Sequence, residues 1–162
     1  RFDSGHLDLS ALALMDLRKF KAVNDTYGHA AGDHLLMEIS RRISAVLPKQ
    51  SGFFRIGGDE FIILLGAGIS RDRVDKLLSN VSDLVSQPVS YDGNSFSVQA
   101  NIGAIAGPMP DSVSFSSLMG AADKLAYMAK LPHAADILIE PWSSAENLTH
   151  EERPGAMRTR PT

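Results

Sequence analysis

The chain has no cysteine in 162 residues. That excludes disulfide frameworks, thiolate zinc sites, iron–sulfur clusters and cysteine nucleophiles together, and it suits a reducing compartment. Long apolar runs are missing too. The longest, around Ala11–Met15 and Phe61–Leu65, fall far short of the ~20 residues that a helix needs to cross a bilayer. Charge of one sign is not in excess: 16 Lys and Arg face 19 Asp and Glu, a net charge of −3. A protein gripping nucleic acid through a basic surface is therefore not expected. Hydrophobic residues make up 44% and charged residues 22%, which excludes a disordered or collagenous chain. The length fits one domain. The chain opens on Arg1-Phe2 without an initiator Met, which reads as a piece of a longer protein with sensory or effector domains elsewhere.

What is present reads as alternating strands and helices. Ser10–Leu17 is a short apolar run suited to a buried strand. Lys19–Tyr27 carries Phe20, Val23 and Tyr27 at helical spacing, with Gly28 as its stop. A second helix is expected over Gly32–Leu47, ahead of Pro48. Gly52–Ile56 and Asp59–Leu65 read as strands around Gly57-Gly58, and Arg71–Ser86 as a third helix. Tyr91-Asp92-Gly93-Asn94 is a type I′ hairpin signal. Phe96–Ala106 is expected as one long strand, Phe115–Lys130 as the fourth helix and Ala135–Glu140 as the closing strand. The order β-α-α-β-β-α-β-β-α-β fits an α+β, ferredoxin-like sandwich with a central antiparallel sheet. Residues 1–141 form the expected domain. Residues 142–162, largely polar and without periodicity, read as a tail or linker.

The chemistry centres on Arg55-Ile56-Gly57-Gly58-Asp59-Glu60-Phe61. Paired glycines let a backbone approach a phosphate, and their N–H groups can line an anion site. Adjacent carboxylates repel unless a cation sits between them, and a divalent cation is the usual answer. A glycine turn followed by solvated acids is the plain alternative for so short a motif. Asp16 ends the first strand, which a ferredoxin-like sheet places beside the central hairpin. Asp16 and Asp59 would then converge on one metal, with the Leu17 carbonyl as a further hard oxygen ligand. Mg²⁺ suits such donors.

Asp16-Leu17, Phe20-Lys21, Asn24-Asp25, Gly28-His29 and Gly32-Asp33, followed by the Gly57-Gly58-Asp59-Glu60-Phe61 signature, resemble the GGDEF domain of diguanylate cyclases. The resemblance runs from about Leu12 to Lys130 and implies a nucleotidyl cyclase-like fold. It also implies the condensation of two GTP molecules into cyclic di-GMP, on two domains facing each other across a two-fold axis. Asp16, Leu17 and Asp59 then match the ligands of Mg²⁺ (or Mn²⁺), and Glu60 matches the second signature acid, which assists the metals or the attacking hydroxyl. Gly57 and Gly58 match the turn over the phosphates. Phe20 and Lys21 match a turn contacting the terminal phosphates, and Lys130 matches a phosphate-binding lysine. Asn24 and Asp33 match the pair that reads guanine. The partners implied are GTP and a second GGDEF domain, and the location is cytoplasmic.

Three positions depart from the family pattern. Arg18 stands where a second acid is usual. Lys130 runs into Leu131-Pro132-His133-Ala134-Ala135 in place of Gly-Arg-Asn, so a phosphate-binding arginine is missing and His133 is its nearest substitute. The window Pro48-Lys49-Gln50-Ser51 lacks the Arg-x-x-Asp product-inhibition site that many relatives carry.

Overall fold

The computed structural model describes residues 8–150. Its strands are β1 (Leu9–Arg18), β2 (Ser51–Gly57), β3 (Glu60–Gly66), β4 (Val89–Tyr91), β5 (Asn94–Phe96), β6 (Gln99–Ala106) and β7 (Ile137–Glu140). The helices are α1 (Phe20–Tyr27), α2 (His29–Val46), α3 (Arg71–Ser86), α4 (Phe115–Ala129) and α5 (Trp142–Ala145), and Glu146–His150 adds a 3₁₀ turn. The main sheet has the order β2-β3-β1-β6-β7. Its pairs are antiparallel except β6 with β7, which the crossover through α4 makes parallel. The first four strands in this order have the ferredoxin-like arrangement expected from the sequence.

Alternate residues of β1 serve two cores. Ala11, Ala13, Met15 and Leu17 pack with α2 and α3, whereas Leu12 and Leu14 pack with α4. A central strand covered on both faces needs apolar residues at every position, which is why Ser10–Leu17 shows no alternation. Strand β6 is likewise buried from Ala100 to Ala106, with Asn101 the polar residue in that span. Gly103 lets α4 press onto this strand: a Cβ there would lie 2.1 Å from the Ala126 nitrogen. That close approach sets where the C-terminal end of α4 falls over the sheet.

The structure differs from the sequence reading in three places. The strand expected over Phe96–Ala106 is two strands: β5 pairs only with β4, and β6 starts afresh at Gln99 to pair with β1. Helix α2 begins at His29 rather than Gly32, because Gly28 (φ 92°, ψ 163°) both ends α1 and starts α2 without a loop. The first part of the expected tail is folded. Ala145 is fully buried, and Trp142 and Leu148 pack against the α4 side of the core. Residues 151–162 lie outside the described residues. Among the described residues, no helix is long and apolar enough to cross a membrane.

Candidate active site

Strand β1 carries Asp16 through the core to one end of the sheet, where only 8% of the residue remains exposed. Its cross-strand neighbours there are Glu60 on β3 and Asn101 on β6. Directly opposed residues share a sheet face, so Asp16 and Glu60 lie on the α4 side. Asp59 occupies the turn before Glu60, and its carbonyl accepts a 3.0 Å bond from the Leu17 N–H. The Arg55 Nε donates to the Gly58 carbonyl at 3.0 Å, bracing the same turn. Open space lies beside the Gly58 Cα.

Burial pushes the Asp59 carboxyl above its ordinary range, and the negative charge of Asp16 adds to the rise; Lys130 and Arg55 oppose it. The Asp16 carboxylate pairs with the ammonium of Lys130, the residue whose backbone N–H closes the C-terminal end of α4. The acids that the sequence placed together are thus near enough to feel one another, and a cation already neutralises one of them. Among the described residues, no set of three or more acidic or histidine side chains is arranged as a metal cage. The donors available are the carboxylates of Asp16 and Asp59 and the Leu17 backbone. Hard oxygens of this kind fit Mg²⁺ or Mn²⁺ better than softer metals, and the Lys130 ammonium on Asp16 marks a place that accepts positive charge.

The other half of the candidate site is the elbow between α1 and α2. Lys19 enters α1 with φ 68°, and no side chain caps the helix and no acid sits in its first turn. Its leading N–H groups are therefore open to an anion. The Phe20 ring belongs to the core, so any ligand contact from this position runs through its backbone, whereas Lys21 is exposed. Beyond Gly28, the chain doubles back and sets Asn24 against Gly32. A Cβ on Gly32 would lie 1.9 Å from the Asn24 Oδ1. Asp33, the next residue, is exposed.

Arg18 points its charge at Asp136, 3.5 Å away, in an exposed pair. His133 sits exposed in a left-handed turn beyond α4 (φ 67°). Two residues gain importance that the sequence reading did not give them. Gly32 shapes the seat of Asn24, and Asn101 is fully buried with its Nδ2 donating to the Ala129 carbonyl at 3.0 Å. An amide inside the otherwise apolar run Ala100–Ala106 was the available signal for the second.

Residues 4–135 match the family described as "Diguanylate cyclase, GGDEF domain". The chain belongs to the GGDEF family. It is 39% identical over 120 residues to the bifunctional diguanylate cyclase/cyclic di-GMP phosphodiesterase MucR of Pseudomonas aeruginosa, covering 74% of this chain and 17% of that protein. Among solved structures it resembles the diguanylate cyclase SiaD of Pseudomonas aeruginosa in complex with its activator SiaC (TM-score 0.73, 30% identity, 82% of this chain and 50% of that one). The GGDEF domain of YfiN, or TpbB, from the same organism is similar too (TM-score 0.72, 31% identity, 80% of each chain). The chain spans 15%, 17% and 63% of the length of three curated relatives it matches. As a GGDEF domain homologous to diguanylate cyclases, it shares their α+β fold with a mostly antiparallel central sheet.

Proposed function

We propose that this GGDEF domain condenses two molecules of GTP into cyclic di-GMP and pyrophosphate, working as one half of a two-fold homodimer. The observation that carries this reading is the gathering of Asp16, Asp59, Glu60 and Lys130 at one end of the sheet, where Asp16 faces Glu60 and pairs with Lys130, and burial and the Asp16 charge hold the Asp59 carboxyl above its ordinary range. Asp16, Asp59 and the Leu17 carbonyl would hold Mg²⁺ or Mn²⁺, which when bound neutralises phosphate charge and lowers the pKa of the attacking hydroxyl.

The roles of the chain's own residues are those the GGDEF resemblance implies, and their placement is compatible with them. The first turn of α1, with Phe20 and Lys21, and the Gly57-Gly58 turn receive the phosphates, and Lys130 moves from Asp16 onto them. Asn24 offers its amide to the acceptors of guanine, and Asp33 accepts from its N1–H and N2–H₂. Adenine lacks those donors, which leaves the carboxylate unpaired and makes the discrimination strong. Glu60 assists the 3′-hydroxyl. The 3′-oxygen of one GTP attacks the α-phosphorus of the other, the bond to the β-phosphate oxygen breaks and pyrophosphate leaves. A second equivalent step closes the ring. Each domain holds one GTP, so a lone copy turns nothing over. GTP as substrate places the domain in the cytoplasm.

The missing arginine after Lys130 favours a second reading, in which the domain binds GTP and regulates an adjoining domain such as a cyclic di-GMP phosphodiesterase. The deciding experiment incubates the artificially dimerised domain with GTP and Mg²⁺ or Mn²⁺ and looks for cyclic di-GMP by chromatography. Product that vanishes in Asp59→Ala supports the cyclase. GTP binding without product from concentrated dimer supports the regulatory reading.

A further inference from the structure

The β4–β5 hairpin stands apart from the main sheet. Its register, Val89 with Phe96 and Tyr91 with Asn94, closes on Asp92 (φ 47°) and Gly93 (φ 75°). A two-stranded hairpin alone is marginal in water, so its place is set by what its side chains touch. Phe96 stacks on Tyr27, with ring centroids 4.9 Å apart, and Tyr91 meets His34 at 5.1 Å. Tyr27 is the last residue of α1, and His34 lies in the second turn of α2. The two ring pairs therefore grip the two helices on either side of Gly28.

Gly28 is the natural pivot of this elbow. Its conformation is one that other residues rarely adopt, and a Cβ built on it meets nothing within 4 Å. No side chain caps the α2 N-terminus. Asn24 precedes Tyr27 by one turn of α1, and Asp33 adjoins His34, so the angle between the helices decides how the amide and the carboxylate face one another. Two-sided hydrogen bonding to one planar base tolerates only about 0.5 Å of error.

We propose that the β4–β5 hairpin is a clamp on the base site, and that Tyr27, Phe96, His34 and Tyr91 are positioning residues for purine selection. The proposal rests on the assignment of Asn24 and Asp33 to guanine. Tyr27 is 38% exposed, so its stack on Phe96 lies at the surface of the elbow. Ring loss on either helix loosens Asn24 relative to Asp33, which weakens GTP more than it weakens ATP.

The test uses the full chain and replaces the helix-borne partners, leaving the hairpin residues Phe96 and Tyr91 in place. GTP and ATP, each with Mg²⁺, are titrated by calorimetry into the parent, Tyr27→Leu, His34→Leu and Tyr27→Phe. Each leucine variant is expected to bind GTP about three- to tenfold more weakly, the range worth one aromatic pair, with ATP nearly unchanged. Tyr27→Phe, which keeps the ring, should bind as the parent does. Leucine variants that stay folded by circular dichroism and keep the parental GTP-to-ATP ratio would overturn the clamp alone. A parent without preference for GTP would overturn the guanine assignment, and the clamp with it.

Discussion

Asp16 and Asn101 face each other across the β1–β6 ladder, and both reach the same turn of α4. Asn101 donates to the Ala129 carbonyl, while Asp16 holds the ammonium of the next residue, Lys130. A buried amide thus fixes the backbone from which the lysine reaches the acid. Nothing among the described residues donates to the Asn101 Oδ1, so the amide is held by its nitrogen. Asn101→Ala strands the Ala129 carbonyl and is expected to cost about 1–3 kcal/mol of stability. Thermal unfolding measures that loss. Lys130 then sits on a looser helix end, so KM for GTP should rise several-fold while kcat moves less; an unchanged KM would remove the positioning role.

This loop of contacts shows where the sequence stopped being legible. Helix α3 was readable to the residue, because Val74, Leu78, Val81 and Val85 repeat at helical spacing and all of them are buried. The Asp92-Gly93 turn was readable because its backbone demands those residues. The Lys130–Asp16 pair spans 114 positions, and no local pattern encodes it. The break between β5 and β6 was hidden for a similar reason: Phe96, Val98 and Ala100 alternate as one strand would, and only a change of pairing partner divides them. Trp142–Ala145 was too short for periodicity to register. Its order comes from the α4-side core, where it packs beside β6 and the 3₁₀ turn after it lies along α4.

The raised Asp59 carboxyl makes the stability of the metal-free domain depend on pH. Burial and the Asp16 charge make the folded state hold this proton more tightly than the unfolded chain does. The resulting stabilisation is fully present below the unfolded value of about 3.9 and is lost as pH rises through the higher folded value. Asp59→Asn removes the charge that causes the loss. The metal-free variant should therefore melt above the parent at pH 7, with the gain shrinking toward pH 4. Added Mg²⁺ should raise Tm in the parent and much less in the variant, and product formation should disappear.

Gly32→Ala separates the fold from the base site. Alanine in place of a helical glycine gains about 0.5–1 kcal/mol from the backbone. The new Cβ, however, falls 1.9 Å from the Asn24 Oδ1, and the amide must swing away. Backbone atoms are not what it meets, so the helices can stay where they are. We expect a Tm equal to or above that of the parent, with GTP affinity reduced about tenfold or more, as for the loss of a hydrogen bond in a pocket. Calorimetry on the folded variant checks both halves. Full GTP affinity in Gly32→Ala would release Asn24 from the base site.

Arg18 replaces an acid of the family pattern at the end of β1, so its charge bears on the metal binding proposed for Asp16 and Asp59. The 3.5 Å pair with Asp136 sets an opposite charge beside it, and both side chains are about half exposed. Exposed pairs of this kind contribute roughly 0–1 kcal/mol, so Arg18→Ala should leave Tm nearly unchanged. Since Asp136 already offsets the charge, the Mg²⁺ concentration for half-maximal activity should also hold. Asp136→Ala frees the guanidinium of a residue two positions along β1 from Asp16, about 7 Å of strand and within the Debye length of about 8 Å at physiological salt. The Mg²⁺ requirement should then climb several-fold, more steeply at low ionic strength. Adding Arg18→Ala to Asp136→Ala should bring it back, because the repelling charge is gone. If the double variant kept the raised requirement, Asp136 would be acting on the metal acids by another route and the screening role would be lost.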